Sequence, residues 1–278
     1  PAGMRPMRAG AAKVRVAARE TAAALWGDSP VITRLVCAGY PALSAVLLVA
    51  VRLAPAAKAV FACCLYTVLQ QRYLWAPWVS FLYRPLENTT SLLMVAVEVY
   101  LSLAYFSERE RDLGSLRFLM WVLAASGAVN ALFLCVMLAL GLVWGGEYWT
   151  RCNQGLWPLL MLCITLRSLE KPRENVALLG VVRLPSFWYP AFVAMLLCLL
   201  SKCVLWDAIC AIAVGYFHSA YQLDKFLPDP VRTAVWERLP VWRALACLPG
   251  GPAAAIAATL PLRRQASASA AVTAGGAA

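Results

Sequence analysis

The chain has 278 residues, 62% of them hydrophobic and only 14% charged. An average soluble domain has about 45–50% apolar and about 25% charged residues, so an ordinary water-soluble fold is excluded. Net charge is +11, from 25 Lys+Arg against 14 Asp+Glu. These basic residues are dispersed through apolar sequence, which points to membrane loops and excludes a nucleic-acid partner.

Residues 1–30 read as a basic N-terminal segment, surface or interfacial. Residues 1–24 are rich in Ala and Arg with one acid, Glu20. That composition suits a mitochondrial targeting segment or an amphipathic helix lying on a membrane. A chain that begins at Pro1 reads as one from which an initiator Met or a presequence has been removed.

The membrane domain is expected over residues 31–228. A transmembrane helix needs about 20 mostly apolar residues. Six segments qualify in chain order: 35–53, 91–106, 116–144, 156–169, 188–205 and 208–223. The third is long enough to tilt or overrun the bilayer. The fourth and sixth are short, which suits helices sheltered by neighbours.

Between the first and second segments lies a long loop, 54–90, rich in aromatics including Trp75 and Trp78. Such rings favour the membrane interface, so the loop is expected to be interfacial and partly embedded, with Trp75, Trp78 and later Trp188 as anchors. A seventh helix at 59–74 is disfavoured by Gln70, Gln71 and Arg72. Asn88-Thr89-Thr90 matches the glycosylation sequon but lies at the membrane, so no glycan is expected. Glu98 falls mid-segment and must face protein or a water-filled cavity. Glu108-Arg109-Glu110-Arg111 reads as a solvated turn held by local charge pairs.

Lys and Arg concentrate in the N-terminal segment, the second-to-third loop, the fourth-to-fifth loop and the C-terminal segment. The third-to-fourth loop carries only Arg151 and the fifth-to-sixth only Lys202. An even number of spans with both termini on the basic side satisfies the positive-inside rule. That side is the cytosol for an endoplasmic-reticulum protein and the matrix for a mitochondrial inner-membrane protein.

On the sixth segment, Ala211 and Gly215 are small residues four apart, the spacing that lets helix backbones approach closely. Asp207 at its start reads as a solvated cap. His218 is the single histidine. A catalytic role would need a nucleophile within reach, and Ser126, Ser201 and Ser219 all lie outside any Gly-x-Ser-Gly turn. A polar contact inside the bundle is the better reading of His218. Most of the ten cysteines lie in apolar runs and act as small hydrophobes. Their spacing suggests neither zinc nor a disulfide framework, and no metal or cofactor is expected.

Residues 229–278 form a C-terminal extension that ends in an Ala/Gly/Ser/Pro-rich tail without a core pattern. Such a tail orders only against something else. The N-terminal segment and this tail are therefore the expected contacts to other subunits of a membrane complex, alongside membrane lipids.

Several stretches, in order, resemble the derlin family, the pseudoprotease branch of the rhomboid superfamily. Trp26 through Arg34 resembles the aromatic and Pro-Val-Thr-Arg that precede the first derlin helix. Glu108 through Arg117 resembles the charged turn after the second. Asn153-Gln154-Gly155 is similar to the Gly-Gln that replaces the protease serine region, with Gln154 at the Ser position and Gly155 beside it. Leu179-Gly180 through Pro185 and Trp188-Tyr189-Pro190 resemble the lead into the fifth helix. Ile212 through Gly215 resembles the sixth-helix Gly-x-x-x-Gly segment, with Ala211 in place of its first Gly and Tyr216 where a protease carries His. The Trp-Arg motif of the first loop is reduced to Trp75-Ala76-Pro77-Trp78.

The resemblance implies an all-α, six-helix rhomboid-like bundle without enzymatic activity. It implies a role in membrane-protein quality control or retrotranslocation, with a ubiquitin ligase and an AAA-ATPase as partners. The alternative is a structural accessory subunit of a large mitochondrial respiratory or ATP synthase complex that reuses the fold. An intramembrane protease, or a transporter built around Glu98, stands further off.

Overall fold

The computed structural model describes residues 26–27, 29–53, 59–86, 88–178, 182–201, 203–229 and 233. Most of the expected N-terminal segment and C-terminal extension therefore lies outside the described residues. The chain is mostly helical, and three of its helices are long and apolar enough to cross a membrane.

These three are α1, Val31–Leu53; α2, Thr89–Leu113; and α3, Ser115–Trp144. Three shorter helices follow: α4, Trp157–Glu170; α5, Tyr189–Ser201; and α6, Trp206–Tyr221. A two-stranded antiparallel hairpin, β1 Asn175–Leu178 and β2 Val182–Pro185, joins α4 to α5, with Asn175 opposite Pro185 and Leu178 opposite Val182.

Local chemistry explains where the helices start and stop. Asn88 caps α2 through a reciprocal box: its backbone N–H donates to Ser91 Oγ at 2.9 Å while its side chain takes up a first-turn amide. The sequon asparagine is thus a helix cap. Gly114 alone separates α2 from α3, so the two form a tight helical hairpin. Pro158 opens α4, where its missing N–H costs nothing.

The core is centred on α4. Ten of its 14 residues are buried, including Leu159, Leu160, Met161 and Leu162. A helix covered on all sides sits in the middle of its bundle. It packs most extensively on α6 and also meets α2, α3 and α5, while α1 packs mainly on α2.

Gly215 is what lets α4 and α6 approach. A methyl group there would lie 2.7 Å from Thr165 Cγ2 and 2.8 Å from Thr165 Cβ. Ala211, one turn earlier, is also fully buried. Where lipid supplies no hydrophobic drive between helices, such close van der Waals contact carries much of the association.

The first loop is more structured than its composition suggests. Residues Tyr66–Gln70, Ala76–Val79 and Ser80–Leu82 form three short helical turns, and no continuous helix runs from 59 to 74. The segment is folded into the bundle by Cys63, whose backbone pairs antiparallel with Asn153. Its anchor is Asn130 in the middle of α3. The Asn130 side-chain amide donates to the Pro77 carbonyl at 2.7 Å and to Ser80 Oγ at 3.1 Å, and its carbonyl accepts from Asn153 Nδ2 at 2.7 Å. Ser126, one turn back, donates to the same Pro77 carbonyl at 3.0 Å. A buried polar network of this kind fixes one geometry because each unmade bond would cost about 1–3 kcal/mol.

Candidate functional site

Two polar centres lie within the bundle. The first surrounds Glu98, which is 1% exposed on α2. One carboxylate oxygen accepts from the Tyr40 hydroxyl of α1, and the other accepts from Arg84 Nη1 at the end of the first loop. The Leu156 backbone N–H donates to the same carboxylate. A buried carboxylate needs both a counter-charge and hydrogen bonds to be tolerated, and Glu98 has both.

Gly155 forms the floor of this centre. Its φ is +87°, a region where a side chain is strained. A Cβ there would also lie 3.0 Å from Tyr40 Oη and 3.2 Å from Glu98 Oε2. The backbone therefore presses directly onto the carboxylate cluster. Gln154, next to it, is half-buried.

The second centre lies at the end of the bundle where α2 ends and α3 begins. Glu110 is 1% exposed, not solvated as its charged neighbourhood suggests. Its carboxylate accepts from the backbone N–H groups of Ile32 at 3.0 Å and Thr33 at 2.7 Å, from Thr33 Oγ1 at 2.8 Å and from Ser115 Oγ at 2.6 Å. The first turn of α1 has no acid of its own. Glu110 supplies the acceptor and the negative charge that a helix N-terminus attracts. Two stretches read separately in the sequence, 26–34 and 108–117, are thus one structural unit.

Beside it, Arg109 Nη2 donates to Asp224 Oδ2 at 2.7 Å, and its guanidinium lies over the Trp121 ring at 5.4 Å. His218 Nε2 is 3.2 Å from both Trp121 Nε1 and Asp224 Oδ1. One nitrogen cannot accept from the indole and donate to the carboxylate at once. With Nε2 bare the ring accepts from Trp121, and with a proton on Nε2 it donates to Asp224. Burial pushes the Asp224 carboxyl up, but His218 and Arg109 beside it outweigh burial and hold it below the ordinary carboxylate range.

The remaining sequence candidates fall as follows. His218 is buried with Trp121 and Asp224 as its partners, and Ser126 is bonded to the Pro77 carbonyl. The structure does not bring His218 and Ser126 together. Tyr216 is half-buried, its hydroxyl donating to the Phe187 carbonyl at 2.9 Å just ahead of α5. Asp207 sits half-buried in the first turn of α6, where a helix dipole favours a carboxylate. Trp75, Trp78 and Trp188 each stay about half exposed. Trp75 Nε1 donates to the Val60 carbonyl at 3.2 Å, and the Trp78 indole edge lies against Gly127 of α3. Among the described residues, no three His, Cys, Asp or Glu side chains gather as a metal site would require.

Sequence reasoning missed Tyr40, Arg84 and Asn130, and it read Glu110 as part of a solvated turn. Asn130 carried a readable signal, an amide in the middle of a 30-residue apolar helix. Arg84 and Tyr40 carried none, because their roles depend on where α1 and the first loop meet α2.

A scan against protein-family models finds no match, and no curated protein matches the chain.

Proposed function

We propose that this chain is a noncatalytic, six-span, rhomboid-like membrane protein of the derlin type that acts in membrane-protein quality control or retrotranslocation. The observation that carries the reading is the pair of short helices at the centre of the bundle. With 14 and 16 residues, α4 and α6 rise only about 21 and 24 Å, against roughly 30 Å of hydrocarbon. Helix α4 is covered by its neighbours, so it is the exposed face of α6, with Ile209, Phe217 and Tyr221, that would meet a bilayer and thin it. Local thinning lowers the cost of moving a polar segment through lipid, which is the task of a retrotranslocation factor.

The chemistry near the degenerate positions supports the noncatalytic part. Gly155 backs onto a carboxylate held by Tyr40 and Arg84, an arrangement that holds helices together. In this reading both termini lie on the cytosolic side of the endoplasmic reticulum, within reach of a ubiquitin ligase and an AAA-ATPase.

A second reading, an accessory subunit of a large mitochondrial inner-membrane complex with its termini in the matrix, is favoured by the end of α3. Leu142 is 76% exposed, and Val143 and Trp144 are nearly as open. At 30 residues α3 rises about 45 Å against roughly 30 Å of hydrocarbon, and in this reading its exposed end stands against a neighbouring subunit.

Depleting the protein from its own cells and following the half-life of a misfolded membrane protein tests the first reading. A lengthened half-life is expected. An unchanged half-life together with loss of an assembled respiratory or ATP synthase complex would replace the first reading with the second.

A further inference from the structure

We infer that Cys64 in the first loop and Cys152 in the turn before α4 form a disulfide that staples the loop to the bundle. The backbone places them. Cys63 and Asn153 exchange both hydrogen bonds of an antiparallel bridge, Cys63 N–H to the Asn153 carbonyl at 3.4 Å and Asn153 N–H to the Cys63 carbonyl at 2.8 Å. The bridge is an isolated one, and the residues that flank it on one side are Cys64 and Cys152. In antiparallel pairing the position flanking a hydrogen-bonded pair is the close one, with Cα atoms about 4.5 Å apart. That separation falls within the roughly 4.4–6.8 Å that a disulfide spans. Cys63 is wholly buried with its bridge partner Asn153, and Cys64 interacts through its side chain with Cys152.

Both sulfurs are thiols in this structure, and they differ in access and in acidity. Cys152 is exposed, whereas Cys64 is 3% exposed. A hydrogen bond from the Cys152 thiol, opposed by burial and aided by Thr67 and backbone N–H donors, lowers the Cys64 thiol to about 6. Such a group is a ready thiolate at neutral pH. The order of reaction follows. The exposed Cys152 attacks a small disulfide oxidant, its thiol proton passing to the departing oxidant sulfur, so that a mixed disulfide forms and one oxidant thiol leaves. The Cys64 thiolate then attacks Cys152 Sγ and expels the second. Two cysteine thiols are oxidised, one external disulfide is reduced to two thiols, and the two protons go to those thiols.

The placement of the pair agrees with the compartment that would oxidise it. In the six-span topology proposed above, the turn between α3 and α4 lies on the side opposite the basic termini. That is the translocated side, where disulfides persist.

The test is to alkylate native membranes with N-ethylmaleimide at lysis, digest without reduction, and map the cysteine peptides by mass spectrometry. The expected result is a linked Cys64–Cys152 peptide pair that disappears in Cys152→Ser. Reductant is expected to lower the Tm of the purified wild type by several degrees and to leave that of Cys152→Ser unchanged; Cys152 is exposed, so this variant should fold. Recovery of both residues as alkylated thiols from freshly trapped wild-type membranes, with no effect of reductant on Tm, would overturn the inference. A membrane-impermeant phosphine added to sealed vesicles separates the inference from the topology. Reduction only from the side opposite the termini is expected. Reduction from the terminal side would overturn the topology while the linked pair still stood.

Discussion

Glu110 offers the sharpest test of how the bundle is held. In Glu110→Ala four donors lose their acceptor: the Ile32 and Thr33 backbone N–H groups and the Thr33 and Ser115 hydroxyls. The hydroxyls can rotate to other acceptors. The two amides cannot, because Ile32 is 2% exposed and Thr33 is fully buried, so water does not replace the carboxylate. Each orphaned buried donor costs about 1–3 kcal/mol, and the lost charge at the helix N-terminus adds roughly 0.3–1 kcal/mol. A destabilisation of about 4 kcal/mol is expected for Glu110→Ala. Glu110→Gln keeps one acceptor oxygen but turns an amide NH2 toward a donor, so about half that loss is expected. Reversible unfolding in mixed micelles reads the magnitude, and amide hydrogen exchange at Ile32 and Thr33 reads the location. A Glu110→Ala protein within about 0.5 kcal/mol of wild type, with unchanged exchange at those two amides, would refute the reasoning.

Gly155→Ala is expected to cost about 2 kcal/mol or more, from the positive φ and from contact with Tyr40 and Glu98, measured in the same unfolding assay. Gly215→Ala should cost about 1–3 kcal/mol by overpacking against Thr165, and adding Thr165→Ala should restore part of it; additive losses in the double variant would contradict the contact. The Asp224 carboxyl is depressed in the fold, so its stabilising contribution is present above pH 3.8 and lost as pH falls through the lower folded value. An acid titration of stability should therefore show a loss below pH 3.8 in wild type that is smaller in Asp224→Asn.

The helices were legible because apolar runs of the right length have few other uses. The sequence segment 116–144 differs from α3 by a single residue at its start. Helix α2 runs on to Leu113, well past the apolar stretch, because Glu110 in its charged last turn is buried against the start of α1, while Glu108, Arg111 and Asp112 stay exposed. That is why Glu108 through Arg111 misled as a solvated turn: a charge pattern reports composition, and the burial of Glu110 depends on a partner far away in sequence. The same limit applies to Glu98. Its position within an apolar segment marked it as costly, but Tyr40 and Arg84 could be found only from the packing. The first loop was legible in composition and not in form. Its aromatics signalled the membrane, while the bridge at Cys63 and the Asn130 anchor are tertiary contacts that no local pattern encodes.

The central claim is a noncatalytic rhomboid-like scaffold that handles other membrane proteins. Gentle detergent extraction, native-gel separation and mass spectrometry of the proteins that migrate with this chain test it most directly. Co-migration with a ubiquitin ligase and an AAA-ATPase is the predicted result. Stoichiometric co-migration with respiratory-chain or ATP synthase subunits, and with neither of those partners, would contradict it.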